Sequence, residues 1–219
     1  MPQPSAVESL GLTFFGTVSA TISHEIKNSL AIINENAGLL QDLTVLAEKG
    51  DPLPLKRLQR LSVSIQRQVD RTDAIVRKMN RFSHSTDPIH QSVNLYETTL
   101  FMIEVCDRLI RLRSISISII PPDSPVVIAT CVFYLERLIW MCIKEMMHAM
   151  AEGEILTLAI ENRSSEACIR LSAAGPLPAL TAAAFSSKAE KAMQDILQAR
   201  ILIDPQSGET LLKLPKEIY

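Results

Sequence analysis

The 219-residue chain lacks any uninterrupted apolar run of the ~18 residues that a membrane span requires. Its most apolar stretch, Val132 to Met150, is broken by Glu136, Arg137, Lys144 and Glu145. The opening residues have neither a basic start nor a small-residue cleavage site, which argues against a secretory signal and for a cytoplasmic protein. Cysteine pattern is missing too. Cys106, Cys131, Cys142 and Cys168 form no CxxC pair and repeat no spacing, so they read as reduced thiols rather than a disulfide framework or a zinc site. His84, His90 and His148 are scattered and add no metal-ligand spacing, and no metal is expected. A basic excess is absent: 22 Lys and Arg stand against 24 Asp and Glu, for a formal charge of -2. That weighs against nucleic-acid binding. There is no internal repeat, no low-complexity tract and no Ser/His/Asp hydrolase signature.

What is present is enough for a core. The chain is 47% hydrophobic and 21% charged, the length of one good-sized domain or two small ones. From about Ser9 to Ala47, apolar residues at Phe15, Val18, Ile22, Ile26, Ile33, Leu40 and Leu43 recur in steps of three, four or seven, as one helix face requires. Glu48-Lys49-Gly50-Asp51-Pro52 reads as a turn. A second helical stripe follows at Leu58, Leu61, Ile65, Val69, Thr72, Val76, Met79 and Phe82, close to a heptad seam, until Asp87-Pro88 ends it. A lone hairpin buries two such stripes poorly, whereas two hairpins from two chains form a four-helix bundle, so a homodimer is expected.

Beyond Pro88 the periodicity changes. A helix is expected over Leu95–Leu112, a strand over Ile115–Ile119, a short strand over Val126–Ala129 and a long helix over Cys131–Ala151. Strands at Ile155–Ile160 and Ala167–Ser172, a helix around Ala189–Ala199 and a strand near Thr210–Leu214 follow. The fold class is α+β: a helical hairpin in residues 1–86, then an α/β sandwich in residues 87–219. Trp140 with Met141, Met146, Met147 and Met150 on one apolar helix reads as core packing. Lys188 and Lys191 read as solvated.

His24 stands out by position. At about 100° per residue it points away from the Ile22–Ile26 stripe, toward solvent. Thr17, Ala20, Thr21, Asn28, Ala31 and Glu35 are expected beside it, with Glu25 and Lys27 flanking. A neutral imidazole is nucleophilic and can carry a covalent intermediate. Glu25 could orient the ring or take its proton, Lys27 could offset phosphoryl charge, and Asn28 could hold a water. The plainer alternative is an ordinary surface histidine.

The segment Phe15-Gly-Thr-Val-Ser-Ala-Thr-Ile-Ser-His24-Glu25-Ile26-Lys27-Asn28-Ser29-Leu30 resembles the H-box of two-component sensor histidine kinases. Gln68-Val69-Asp70-Arg71-Thr72-Asp73-Ala74-Ile75-Val76 followed by Arg81-Phe82-Ser83 is similar to the second helix of their dimerisation and phosphoacceptor domain. The resemblance implies that His24 is the phosphorylated residue and that an ATP-binding α/β sandwich follows.

Leu135 to Met146 lines up with that domain's N-box helix, but Met141 and Glu145 stand where the family has Mg²⁺-holding asparagines. A methionine offers nothing to a hard cation; a carboxylate can bind Mg²⁺ but also adds negative charge beside a triphosphate. Ala173-Ala174-Gly175-Pro176-Leu177 matches the Asp-x-Gly-x-Gly box with Ala173 in place of the adenine-reading aspartate and Leu177 in place of a glycine. Phe185-Ser186-Ser187-Lys188 resembles the box before the ATP lid, yet Ala189 to Met193 contains no glycine. Gly208 and Leu211-Leu212-Lys213-Leu214-Pro215 keep the last strand.

The resemblance therefore implies a degenerate ATP site and no cofactor in this chain. The function expected is that of a histidine phosphotransfer protein, most like the kinase-fold phosphotransfer proteins. It would exchange a phosphoryl group between His24 and the aspartate of response-regulator receiver domains, whose own Mg²⁺ would serve. The expected partners are a second copy and receiver domains, with an upstream sensor kinase as a further candidate. Open beside it are a non-catalytic scaffold or inhibitor, a receiver phosphatase using Asn28 and Glu25, and an active kinase with an unusual ATP site.

Overall fold

The computed structural model describes residues 6–87, 90–175, 177, 182–204 and 206–217. Pro88 and Pro176, which figure in the sequence reading, lie outside them. Two helices open the chain, α1 (Ala6–Glu48) and α2 (Leu55–His84). The chain forms two compact units. One is Ser19–His84; the other joins the chain up to Val18 with everything from Ser85 onward.

The first unit is the helical hairpin. On α1 the buried or half-buried positions include Ile22, Ile26, Ser29, Ile33, Asn36, Leu40 and Leu43, spaced by three and four as one face demands. Two of them are polar. The Asn36 side chain donates from Nδ2 to Ser64 Oγ on α2 at 3.1 Å, a bond that ties the two helices at one register. The α1 terminus is closed by a Schellman motif. The Asp51 N–H donates to the Leu46 carbonyl at 3.2 Å and the Gly50 N–H to the Ala47 carbonyl at 3.0 Å. Gly50 takes φ +98 there, where a side chain would be strained.

On α2 the buried residues are Leu61, Ile75 and Phe82. This differs from the expected stripe, because Val69 and Val76 are 46% and 40% exposed. The apolar arc of α2 is wider than one partner helix covers. Ile75 takes the facing side, and the flank carrying Val69 and Val76 stays open.

The second unit contains the first turns of α1, where Val7, Phe14 and Val18 are buried. Phe15, expected on the stripe, is only half-buried. The side of α1 that counts here is set by a different neighbour: the Phe14 ring lies 5.7 Å from that of Phe133, and the Arg137 guanidinium sits 5.6 Å from its centroid.

The remaining elements are β1 (His90–Asn94), α3 (Leu95–Val105), α4 (Asp107–Arg111), β2 (Ser116–Ile120), β3 (Val127–Cys131), α5 (Val132–Ala149), β4 (Ile155–Asn162), β5 (Glu166–Ala173), α6 (Lys188–Ile196), β6 (Arg200–Ile203) and β7 (Thr210–Pro215). A five-stranded sheet runs β2-β4-β5-β7-β6, with β2 parallel to β4 and the other pairs antiparallel. A separate ribbon pairs β1 with β3. Inward positions alternate as a half-buried sheet requires: Leu156, Leu158 and Ile160 on β4, Ile169 and Leu171 on β5, Leu212 and Leu214 on β7. Helix α5 lies over β5 and β7, with α3 and α6 beside it. It buries Leu135, Leu138, Ile139, Trp140, Met141, Ile143, Met146 and Met147.

Two expectations are corrected here, and two strands, β1 and β6, lie where none is expected from the sequence. The helix expected over Leu95–Leu112 breaks at Cys106 into α3 and α4. Strand β1, polar in sequence, forms because its backbone finds β3. Strand β6 occupies Arg200–Ile203 immediately after the α6 helix, which ends at Ile196 rather than near Ala199. Gln198 at φ +48 turns the chain between them.

Candidate functional site

His24 lies on α1 within the hairpin unit and is exposed. One face of the helix around it is sealed: Thr21, Ile22 and Ser29 are 5%, 5% and 1% exposed. The opposite face carries His24, Lys27, Asn28, Ala31 and Glu35, all exposed and spaced three or four apart. Glu25 is half-buried beside them. Thr21, expected among the exposed neighbours, is instead part of the sealed side. Ala20 and Ala31 are small and exposed, so a partner backbone can approach the imidazole closely. An exposed imidazole can act as a nucleophile, and the same helix face carries an amine and an amide.

The positions matched to a nucleotide site lie in the other unit. Met141 is 2% exposed on α5, packed in the core. Glu145, one turn on, has its carboxylate 3.6 Å from His148 Nδ1 and 3.8 Å from Lys144 Nζ. Ala173 ends β5 opposite Leu156. Leu177 is 4% exposed, and its N–H donates to the Ser207 carbonyl at 3.1 Å. It lies so near Gly208, which has φ +71, that a Cβ there would fall 2.5 Å from Leu177 Cβ.

Where a phosphate-wrapping lid would be expected, the chain forms α6, with Ser187 and Glu190 closing a reciprocal capping box. Side chains that are aliphatic or thioether at three of the four matched positions offer no ligand to a hard cation and no acceptor for an adenine amino group.

Thiol chemistry is also unpromising. All four cysteines are free. Burial pushes the Cys142 thiol up to about 12, and raises Cys106 and Cys131 as well. A thiol so shifted is no nucleophile at neutral pH. Among the described residues no group of His, Cys, Asp and Glu could hold a metal ion, and no helix is long and apolar enough to cross a membrane.

Residues 16–88 match the His Kinase A (phospho-acceptor) domain. No curated protein sequence matches the chain. Among solved structures, the catalytic domain of histidine kinase ThkA is similar at 12% identity and TM-score 0.50, over 59% of this chain and 99% of that one. ThkA in complex with response regulator protein TrrA is similar at 16% identity and TM-score 0.50, over 94% of this chain and 63% of that one. Acinetobacter baumannii histidine kinase AdeS is similar at 14% identity and TM-score 0.49, over 88% of this chain and 98% of that one. Residues 16–88 thus match a phospho-acceptor hairpin of the His Kinase A family, and the part of the chain that follows has the fold of a histidine kinase catalytic domain.

Proposed function

We propose that this protein is a histidine phosphotransfer protein of a phosphorelay and not an ATP-dependent kinase. The observation that carries the reading is a contrast between its two units. His24 is exposed in a phospho-acceptor hairpin, while the matched nucleotide positions hold buried Met141 and Leu177.

In the proposed reaction a receiver domain presents its phospho-aspartate in line with His24. The lone pair of an imidazole nitrogen attacks phosphorus, an N–P bond forms, the P–O bond to the aspartate breaks, and the carboxylate leaves with the electron pair. Reversal onto a second receiver's aspartate passes the group on. Such transfer depends on positioning and charge neutralisation rather than elaborate protein chemistry. Lys27 offsets phosphoryl charge, and Glu25 orients the ring and relieves it of a proton. The Mg²⁺ belongs to the receiver.

The working unit is proposed to be a homodimer. Exposed Leu30, Val63, Val69 and Val76 on the hairpin support this, at 51%, 59%, 46% and 40%, because a second hairpin would cover them.

The test incubates the full chain and His24→Ala with γ-labelled ATP and Mg²⁺, and separately with labelled phospho-receivers. Label reaching the wild type from a receiver and not from ATP, and absent in His24→Ala, is the expected result. Label acquired from ATP would refute it. Release of inorganic phosphate from a receiver that survives His24→Ala and fails in Asn28→Ala would also refute transfer and favour the phosphatase reading, for which exposed Asn28 on the His24 face is the supporting feature.

A further inference from the structure

The sheet-bearing unit has a groove of about 340 Å³ between the first turns of α1, the end of α4 and the outer side of α5. Phe14, Trp140 and Met147 line it together with Leu109 and Leu112. That volume falls at the lower end of the range for small-molecule sites. The charged side chains on it, Arg113, Arg137 and Lys144, are all cationic, and His148 lies with them. No carboxylate lines it among the described residues.

Arg137 is the feature that an ordinary surface groove does not explain. Its Nε–H is buried and has no hydrogen-bond partner. Burial pulls the pKa of the group down, with Glu190 opposing the shift at a distance, yet a guanidinium remains charged at any ordinary pH. With no accessible surface, that Nε–H is not what a ligand in the groove would meet; what the groove presents is the charge of the guanidinium, which lines it beside Phe14. Glu145, whose carboxylate lies within ion-pair distance of Lys144 and His148, also acts on Arg137 through its charge.

We propose that this groove binds a small amphipathic carboxylate, with the anionic head on Arg137 and the apolar body against Phe14, Trp140 and Met147. The planar fork of a guanidinium suits a carboxylate. Aromatic and thioether walls suit an aliphatic chain or a single ring. Lys144 and Arg113, both exposed, add long-range attraction for an anion. This site is independent of His24 and of the phosphotransfer reading.

Trp140 is the only tryptophan of the chain, so its fluorescence reads the groove directly. The test titrates the full-length protein with sodium decanoate below its aggregation concentration. A saturable change in Trp140 emission is expected. Decanol, with the body and no charge, and acetate, with the charge and no body, are each expected to give none at equal concentration. Arg137→Gln should raise the midpoint by about tenfold or more, as loss of a charge-assisted hydrogen bond implies. Its far-UV spectrum and melt serve as the folding control, and Lys144→Gln, at an exposed position, gives a second and smaller loss if Arg137→Gln does not fold. A non-saturable response overturns the proposal. So does an equal response to decanol, or a midpoint unchanged in every folded variant.

Discussion

Replacing Gly208 by alanine tests the claim that Leu177 has closed over the place where a family glycine would leave room. A Cβ on Gly208 would lie 2.5 Å from Leu177 Cβ, 2.8 Å from its carbonyl oxygen and 3.0 Å from its Cα. Two of those three atoms are backbone and cannot swing aside.

The other wall is also tied. Gly208 N–H donates to the Asp204 carbonyl at 2.8 Å, Ser207 Oγ to Asp204 Oδ2 at 2.6 Å, and the Gln206 N–H to Asp204 Oδ1 at 3.1 Å. Alanine at φ +71 carries the left-handed cost of about 1–2 kcal/mol. Forcing the two segments apart adds about 1–3 kcal/mol. The total is about 2–5 kcal/mol, which at an m-value near 2 kcal/mol/M lowers a urea midpoint by about 1–2.5 M.

Urea unfolding followed by Trp140 fluorescence measures it, because Trp140 lies on α5 in the same unit. Leu177→Gly removes the nearest of the three atoms, so Gly208→Ala should cost at least about 1 kcal/mol less in that background. A cost below about 0.5 kcal/mol, or one identical in both backgrounds, would refute the described approach of Leu177 to Gly208.

Other outcomes follow from the same geometry. Ser85 Oγ donates to Glu136 Oε2 at 2.6 Å with both residues buried, so Ser85→Ala should destabilise the sheet-bearing unit by about 1.5–3 kcal/mol in the same urea assay. Phe82 is fully buried in the hairpin unit, and Phe82→Ala should cost about 3–5 kcal/mol, read as a lower melting temperature by helical circular dichroism. The Arg170 guanidinium, hydrogen-bonded to Glu161 at 2.6 Å, holds that carboxyl below its usual pKa, with Arg163 assisting. Because the folded value is depressed, this stabilisation is complete above the unfolded carboxylate pKa of about 4.3 and fades as pH falls through the folded value. At a partly exposed site it is worth about 1 kcal/mol or less, so the melting difference between wild type and Glu161→Gln should be small near neutral pH and vanish in strong acid.

The long-period features could be read without coordinates, because a helix face repeats over dozens of residues and averages out single exceptions. Both hairpin helices, the Gly50 turn, the exposure of His24 and the strands β4, β5 and β7 were of this kind. The errors came where a neighbour, not a pattern, decides. Phe14 is buried instead of Phe15 because α5 presents Phe133 and Arg137 to that side of α1. Ile75 replaces Val69 and Val76 because one helix covers only part of a wide apolar arc. Strand β1, with the sequence His-Gln-Ser-Val-Asn, has no alternation to see and exists through its ladder with β3. The unpaired Nε–H of Arg137 has no signature at all in one dimension.

Residue chemistry, by contrast, is local and survives translation into a string of letters. That position 24 is a histidine on a polar helix face, and that positions 141, 173 and 177 carry no oxygen or nitrogen side chain, could be read from the order of residues alone. Whether those three side chains leave an open site or fill it depends on the approach of segments far apart in the chain. Leu177 against Gly208 and Met141 inside the α5 core are tertiary outcomes. Distances between distant segments are set by packing, and packing is a property of the folded chain rather than of its periodicities.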